Sequence, residues 1–486
     1  MSVYKHGIAT NRQTAEPATP TQSTESAVFV VGTAPVNLAA SPAVNVPVLA
    51  EKKSDAVAAL GYSEEFDKYT LLHSIYSHFN KFGTAPVVFV NVLDPGKADH
   101  LTALASSDVA VTGGKAILKE KGVLLDKLKV SGSSGELKAG EDYVASFDDD
   151  GYVVIAATET GAMKALDSVS VTGSKLNPDG VTAEDIIGGI DEAGTRSGLE
   201  LVDEVYPRLG VVPTILIAPG FSKNPSVAAA LEAKAQLIYS ITNAIALIDL
   251  SSASDGATKK EDVAKEKAKT TVASRWNVPL WPMLKVDDYK IWNSAHAAAF
   301  IQNNIRNSNG VPSDSPDNHD YMIDGLCLED GSSVYMTQDD VNDYLNAYGV
   351  CSALKLPTWK FWGNNTAAYP ASKAPMNRYI KSVMMLNWME NTFKLNYLSA
   401  IGRNANVKLI KDIVDRFNQY LNGLIPDHLA GGSIVFDIAE NPKEDMMNGK
   451  YVFRTRYADW TPMEYMENVF EYDADILTSA LEGGDE

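Results

Sequence analysis

Continuous apolar runs and helical stripes alternate along the first hundred residues. Residues 27–31 (AVFVV) form an uninterrupted apolar run that Gly32 ends, and residues 86–92 (PVVFVNV) form a second run. Short runs of this kind, rich in β-branched residues, predict strands that are buried on both faces. Between them, helical periodicity predicts helices over residues 54–60 and 68–81. The order strand, helix, helix, strand is typical of an α/β layer.

The hydrophobic pattern changes between residues 98 and 183. Short alternating segments, including residues 151–157 (GYVVIAA) and 168–172 (SVSVT), are separated by turn sequences such as NPDG at residues 177–180. Alternation bounded by turns predicts short strands, so this segment is expected to be an inserted, β-rich domain. It is acidic, because residues 98–200 contain 18 Asp and Glu against 9 Lys and Arg.

The α/β pattern resumes after the insertion and continues to the end of the chain. Strands are predicted at residues 213–218, 244–250, 433–437 and 450–457, and helices at residues 225–240, 257–275, 293–307, 377–398 and 406–423. The last helix has one apolar stripe, formed by Ile410, Ile413, Val414, Phe417 and Leu421.

The fold class is therefore mixed, α/β with α+β parts, and the chain is long enough for several domains. We predict an N-terminal arm at 1–25, a core domain formed by 26–97 and 184–355, the insertion at 98–183, a C-terminal domain at 356–462 and a C-terminal arm at 463–486.

Composition narrows the classes of function. The 486 residues include 62 acidic and 42 basic side chains, a net charge of −20, which argues against nucleic-acid binding through the general surface. Cys327 and Cys351 are the two cysteines, which is too few for a disulfide framework or a thiolate zinc site. No apolar run approaches a membrane span and the N-terminal sequence lacks a secretory h-region, so we expect a cytoplasmic protein that does not insert into membranes.

Recognisable catalytic motifs are missing. The sequence has no phosphate loop, GxGxxG, GxSxG, HExxH or CxxC. His73 and His78 lie five residues apart, on different sides of a helix, which favours structural roles over metal binding. Asp148-Asp149-Asp150-Gly151 is interpreted as a hairpin turn. The loop at residues 314–320, with His319, is either a solvated turn or an ion site. We predict no enzyme activity, cofactor or metal, although an enzyme whose site is assembled from distant residues stays an alternative.

One segment departs from the acidic average. Residues 376–416 contain seven basic and three acidic side chains, a net charge of +4. Two interpretations stay open at this point. The segment is either a pair of ordinary helices with solvated faces or a basic surface that faces an acidic partner.

A resemblance to a known family enters at residues 359–370, WKFWGNNTAAYP. The segment FWGNNT resembles the FWGNRT-type motif of contractile tail sheath proteins; its residues are Phe361, Trp362, Gly363, Asn364, Asn365 and Thr366. Residues 409–415 (LIKDIVD) are similar to the family's LIRDIVD helix, and residues 4–8 (YKHGI) to its opening. The resemblance covers about residues 1–95 and 185–486. Asn365 stands where many relatives carry Arg. The insertion at residues 98–183 is not part of the common core, and insertions of this kind usually lie on the outer surface of sheath proteins.

The resemblance implies a mechanical function. Sheath subunits form stacked hexameric rings around an inner tube, and contraction drives the tube through a target envelope. The implied partners are copies of the same chain, the inner tube protein, and baseplate and tail terminator proteins. The implied location is the tail of a virion or of a headless particle assembled in the host cytoplasm. The alternatives are another contractile injection or secretion machine and a non-contractile structural protein of the virion.

The resemblance also implies roles for particular residues. Residues 7–12 and 468–476 are expected to be arm strands that pair with sheets of neighbouring subunits, with flexible flanks at 13–26 and 460–463; plain disorder is the alternative. The arm-strand residues are Gly7, Ile8, Ala9, Thr10, Asn468, Val469, Phe470, Glu471 and Tyr472. The basic residues expected to face the inner tube, in a tube-proximal C-terminal domain, are Arg378, Lys381, Arg403, Lys408 and Lys411.

Overall fold

The first part of the described chain contributes three strands and two helices. The structure is a computed structural model and describes residues 26–482. The elements are β1 (Ser26–Gly32), β2 (Val48–Ala50), α1 (Lys53–Leu60), α2 (Leu71–Ile75) and β3 (Val87–Asn91). A π-helical stretch, Tyr76–Phe82, continues α2. The predicted strands and helices are confirmed here, although the second helix begins at Leu71 instead of residue 68.

Seven short antiparallel strands follow. They are β4 (Leu101–Ala110), β5 (Lys115–Leu118), β6 (Lys129–Gly132), β7 (Gly135–Glu136), β8 (Tyr143–Phe147), β9 (Val153–Ala157) and β10 (Ser168–Leu176). They form two sheets, in the orders β4-β10-β6-β7 and β5-β9-β8. These sheets enclose a hydrophobic cluster of their own, which includes Val130, Ile155 and Val171. The strands predicted at residues 151–157 and 168–172 are confirmed as β9 and β10, while the domain boundaries stay predictions.

Contacts of Asp185 with Lys97 and His100 link the two ends of this β-rich segment. Lys97 Nζ lies 2.5 Å from Asp185 Oδ1, and His100 Nε2 lies 3.3 Å from Asp185 Oδ2. Burial alone would raise the pKa of Asp185, but hydrogen bonds from Lys97 and Thr182 hold this pKa well below its usual range. The two chain ends of the segment are thereby tied together.

Alternating helices and strands complete the core sheet. They are α3 (Ala183–Ile187), α4 (Val202–Leu209), β11 (Val212–Ile217), α5 (Pro225–Gln236), β12 (Ile245–Asp249), α6 (Val263–Lys269), β13 (Asn277–Leu280), β14 (Met283–Val286), β15 (Tyr289–Ile291) and α7 (Asn293–Asn307). The six-stranded sheet has the order β13-β12-β11-β1-β3-β2, parallel except for β2. Its central strands are fully buried, as their continuous apolar sequences require. The helix predicted over residues 257–275 is shorter, since only α6 is α-helical and Thr271 has a positive φ of 57°.

A second sheet and a hairpin lie beside the core sheet. Their elements are β16 (Gly325–Cys327), β17 (Ser333–Val334), α8 (Gln338–Tyr344), β18 (Ser352–Lys355) and β19 (Trp359–Trp362). The sheet has the order β15-β14-β16-β17, and β18 pairs with β19. The hairpin therefore carries the first part of the WKFWGNNT segment.

The C-terminal part has a hydrophobic core of its own. Its elements are α9 (Pro375–Arg378), α10 (Ile380–Tyr397), α11 (Val407–Leu424), β20 (Leu429–Val435), α12 (Lys443–Met447), β21 (Arg454–Asp459) and α13 (Ala474–Glu482). Phe417 and Leu421 of α11 pack with Met385 of α10 and Ile434 of β20. The helix predicted over residues 377–398 is divided at Tyr379, whose backbone is extended. The two late strands are confirmed, each displaced by a few residues from its predicted range.

Candidate assembly interface

The FWGNNT segment forms a junction inside the subunit. Phe361 is fully buried and stacks on Phe300, with ring centroids 5.5 Å apart. The indole Nε1 of Trp362 donates to Asn342 Oδ1 at 3.1 Å. The aromatic residues of the motif therefore anchor the hairpin to α7 and α8, with Phe361 fully buried and Trp362 partly buried.

Gly363 has no room for a side chain. Its φ is +136°, and an added Cβ would lie 2.9 Å from both Asn346 Oδ1 and Cys351 Sγ. The Gly363 N–H donates to Asp317 Oδ1 at 2.7 Å. Burial raises the pKa of this Asp317 carboxyl group. The motif requires glycine here for both conformation and close packing.

The polar end of the motif is bonded to the start of the following helices. The Ile380 N–H donates to the Asn364 carbonyl at 2.9 Å. Thr366 donates twice, from N to the Arg378 carbonyl at 2.7 Å and from Oγ1 to the Asn377 carbonyl at 2.6 Å. These hydrogen bonds fix the position of the motif relative to the junction of α9 and α10.

Two of the five basic residues expected to face a tube are engaged within the chain. Arg378 donates from Nε to Asn365 Oδ1 at 2.6 Å and is paired with Glu464. Lys381 has only 5% of its surface exposed, and its ammonium group donates to the carbonyl of Trp460. Burial lowers the pKa of Lys381, although Asp459 lies nearby. Both side chains therefore hold the segment that follows β21.

The other three basic residues are on the surface. Arg403, Lys408 and Lys411 are exposed in the loop after α10 and on the first turns of α11. Two apolar side chains accompany them, since Ile401 is 81% and Val407 83% exposed. The opposite face of α11 is buried against β20. We call this set of exposed residues the basic tip; a surface with both charge and unburied apolar area is typical of interaction sites.

The segment after β21 leaves the body of the subunit. Residues 460–473 contain no helix or strand, and Phe470 is 90% exposed. Residues 463–481 contain five acidic side chains and no basic one. The exposed apolar residues of this segment are Met463, Tyr465, Met466, Val469, Phe470, Tyr472, Ile476, Leu477 and Leu481.

The arm-strand predictions have different outcomes in the structure. Residues 468–472 form no strand within this chain, so their pairing with another subunit stays a prediction. The strand expected to reach residue 476 is wrong at its end, because α13 begins at Ala474. The N-terminal residues Gly7, Ile8, Ala9 and Thr10 lie outside the described residues.

Side chains considered for chemistry have structural partners. His73 donates from Nε2 to the Phe66 carbonyl and His78 from Nδ1 to the Ser74 carbonyl, both at 2.8 Å. Burial lowers the pKa of each histidine to about 4. In the part of the chain that the structure describes, no group of three or more His, Cys, Asp or Glu could hold a metal ion. No helix among residues 26–482 is long and apolar enough to cross a membrane.

Sequence reasoning missed the residues that fasten the C-terminal segment. Trp460 donates from Nε1 to the Pro426 carbonyl at 2.7 Å, and Glu464 accepts from Arg378 and from the Tyr379 hydroxyl. Trp460 was expected in a flexible flank. The partners are more than thirty residues apart in sequence, so no local pattern indicates them.

Comparison with known proteins gives relatives over the whole chain. No protein-family model matches. The chain is 28% identical to the tail sheath protein of Burkholderia phage BcepMu over 500 residues, which cover 99% of each chain. It is 22% identical to a putative prophage major tail sheath protein of Pseudomonas aeruginosa, over 68% of this chain and 83% of that one.

Solved structures show the same fold at low sequence identity. The helical sheath of the anti-feeding prophage in its contracted state superposes with a TM-score of 0.54 and 14% identity, over 95% of this chain and 99% of that one. The chain therefore has the multi-domain fold of contractile sheaths, as expected. The family resemblance predicted from the FWGNNT and LIKDIVD segments is confirmed, since the relatives that the chain matches are tail sheath proteins of a phage and a prophage.

Proposed function

We propose that the protein is the subunit of a contractile sheath that polymerises as stacked hexameric rings around an inner tube. On triggering, the rings contract and drive the tube through a target envelope. The observation that carries the proposal is the match to sheath relatives over the full length of the chain, in sequence and in fold. The role is mechanical and not enzymatic, since rigid bodies exchange one set of contacts for another.

The C-terminal segment supports polymerisation through arms. Its exposed apolar residues have no cover within the described chain, and its acidic residues beyond Glu464 would complement a basic partner surface. The sheet β20-β21 has two strands only, and β21 leaves one edge unpaired among residues 26–482, whereas the Asn418 side chain bonds both backbone groups of Ile434 on the outer edge of β20. Arg454, Arg456 and Val435 are exposed beside these edges. Addition of an acidic, apolar strand from a neighbouring copy matches this surface in hydrogen bonding and in charge.

The basic tip supports contact with the inner tube. Arg403, Lys408 and Lys411 are free to meet an acidic surface, whereas Arg378 and Lys381 already have internal partners. Baseplate and tail terminator proteins are further proposed partners at the two ends of the sheath. The proposed location is the tail of a virion or of a headless particle, assembled in the host cytoplasm.

Electron microscopy tests the proposal directly. The full-length protein is purified alone and together with its inner tube protein, and both samples are examined by negative stain. We expect hollow striated tubes, short and wide without the inner tube and longer with it. A monodisperse monomer under all conditions would contradict the proposed function.

Truncation of the C-terminal arm tests whether the arm is needed for polymerisation and not for folding. A chain that ends at Glu464 retains every described contact of the body but lacks residues 465–486. We expect this variant to unfold at the same denaturant concentration as the full chain and to form no tubes. Tubes of normal length from the shortened chain would show that the C-terminal arm is dispensable.

A further inference from the structure

Four residues at the junction of α9 and α10 contact the root of the C-terminal segment. Arg378 pairs with Glu464, and the Tyr379 hydroxyl donates to the same carboxylate at 3.3 Å. Lys381 donates to the Trp460 carbonyl, and Ser382 donates from Oγ to Asp459 Oδ2 at 2.6 Å. Side chains that carry donors thus hold this segment at both ends, at residues 459–460 and at Glu464.

The position of these donors is set by the FWGNNT motif. Arg378 and Ile380 flank the break between the two helices, and their backbone groups bond to Thr366 and Asn364. Asn365 and Tyr379 form an isolated antiparallel bridge. The break, which turns Arg378 and Lys381 toward the C-terminal segment, is therefore held by the motif and not by the helices alone.

The environment of the two cations strengthens their contacts. The Arg378 guanidinium lies 4.5 Å from the centroid of the Tyr369 ring and 4.8 Å from that of Tyr379. Lys381 and Asp459 are both buried or nearly so, with side chains 5% and 11% exposed. Charge-assisted hydrogen bonds are stronger where water is excluded, as it is around Lys381 and Asp459, whereas the side chains of Arg378 and Glu464 stay 19% and 29% exposed. The segment loses such contacts immediately beyond Glu464, where Tyr465 and Met466 are each 79% exposed.

We propose that Arg378 and Lys381 form a latch that fixes where, and in which direction, the C-terminal arm leaves the subunit. The arm is then anchored through Glu464 and free to reorient only beyond it. Arg378 and Lys381 are positioning residues for the arm, and their charges are not part of a tube-facing surface. The inference rests on the proposed function in one respect, namely that residues 465–482 act as an arm.

Distance measurement by electron–electron double resonance tests the latch. Spin labels are attached to Met463→Cys, at the root of the arm, and Gln419→Cys, on the exposed face of α11. Both native cysteines are buried, so labelling is confined to the introduced residues. The labelled full-length protein is diluted with unlabelled protein, so that only distances within one subunit are recorded. We expect one narrow distance distribution.

Variants that remove the latch should broaden this distribution. Arg378→Gln and Glu464→Gln each remove one partner of the ion pair, and we expect the distribution to become roughly twice as wide in both, because local opening becomes populated. The double variant Arg378→Glu/Glu464→Arg restores an ion pair with exchanged charges, so the distance distribution should become narrow again. Arg403→Gln, an arginine of the basic tip, is the matched control and should leave the width unchanged.

The proposal is overturned if Arg378→Gln and Glu464→Gln both keep the narrow distribution. The proposal is also overturned if the charge exchange does not restore the narrow distance distribution. Increased mobility of the whole C-terminal part would then explain the broadening. Because Glu464 lies on the surface, Glu464→Gln tests the latch even if Arg378→Gln impairs folding. The measurement requires no assembly, so its failure and a failure to form tubes are independent results.

Discussion

Arg378 and Asn365 meet through a hydrogen bond of 2.6 Å from the guanidinium Nε to the side-chain oxygen. The FWGNRT-type motif that this segment resembles has Arg at the position of Asn365. In this subunit the cation comes from the other side, from the end of α9, and Asn365 supplies the acceptor. Arg378 thereby joins the FWGNNT motif to Glu464 of the C-terminal segment.

Asn365→Ala should destabilise the subunit. The substitution removes the acceptor of Arg378 Nε and leaves a partly buried donor without a partner, which costs about 1–2 kcal/mol in the free energy of unfolding. Urea denaturation followed by circular dichroism measures the change. Asn404→Ala, at an exposed position in the loop before α11, is the control and should have no measurable effect. Equal stability of both variants would show that the Asn365 hydrogen bond is not stabilising.

Gly363→Ala should be more damaging than an ordinary glycine substitution. The new methyl group would lie 2.9 Å from Cys351 Sγ and would require a backbone conformation unfavourable for alanine, so we expect a loss of about 2–4 kcal/mol. Gly423→Ala is the matched control, because Gly423 lies in α11 and its Cβ would meet nothing within 4 Å. The free energy of unfolding of this control should rise by up to about 1 kcal/mol. Similar unfolding midpoints for the two variants would contradict the packing argument.

Charge reversal of the basic tip should affect assembly with the tube selectively. For the triple variant Arg403→Glu, Lys408→Glu and Lys411→Glu we expect normal folding and normal tubes of sheath alone, but no extended sheath around the inner tube at low salt. Negative-stain microscopy with the tube protein measures this.

The control for the basic tip carries the same change in net charge on the insertion. Lys119→Glu, Lys129→Glu and Lys164→Glu alter exposed lysines of that segment. This variant should assemble around the tube as the parent does. Extended sheaths from the basic-tip variant at moderate salt would refute its tube-facing role.

Stability should fall as the pH is lowered from about 6.5 to 4. Burial lowers the pKa of His73, His78 and His296 from 6.5 to about 4. Between these values the unfolded chain binds protons that the folded chain does not, so the stability present above pH 6.5 is lost progressively on acidification. The loss is at most roughly 3 kcal/mol per histidine.

Urea denaturation at several pH values measures this proton linkage. His78→Gln should reduce the slope of unfolding free energy against pH by about one proton in this range. His319→Gln is the control, because His319 is exposed. An unchanged slope in His78→Gln would show that His78 takes up its proton in the folded state as readily as in the unfolded chain.

Local sequence determined the elements of the core and the position of the motif. The strands β1, β3, β11 and β12 follow from short, continuous apolar runs rich in β-branched residues, which are typical of strands buried on both faces. The helix α7 was predicted with its observed bounds. The turn-rich alternation of residues 98–183 likewise predicted the antiparallel strands found there.

Tertiary structure alone decided which polar residues are free to meet a partner. Arg378 and Lys381 share the charge and helical setting of Lys408 and Lys411, yet the first two are paired with residues 459–464 and the last two are exposed. The break at Tyr379 is likewise imposed by bonds to Asn364 and Thr366. Sequence periodicity records which face of an element is apolar, but a pair of distant residues meets only after packing brings their elements together. The family motif could therefore be recognised from sequence, whereas the latch that it supports could not.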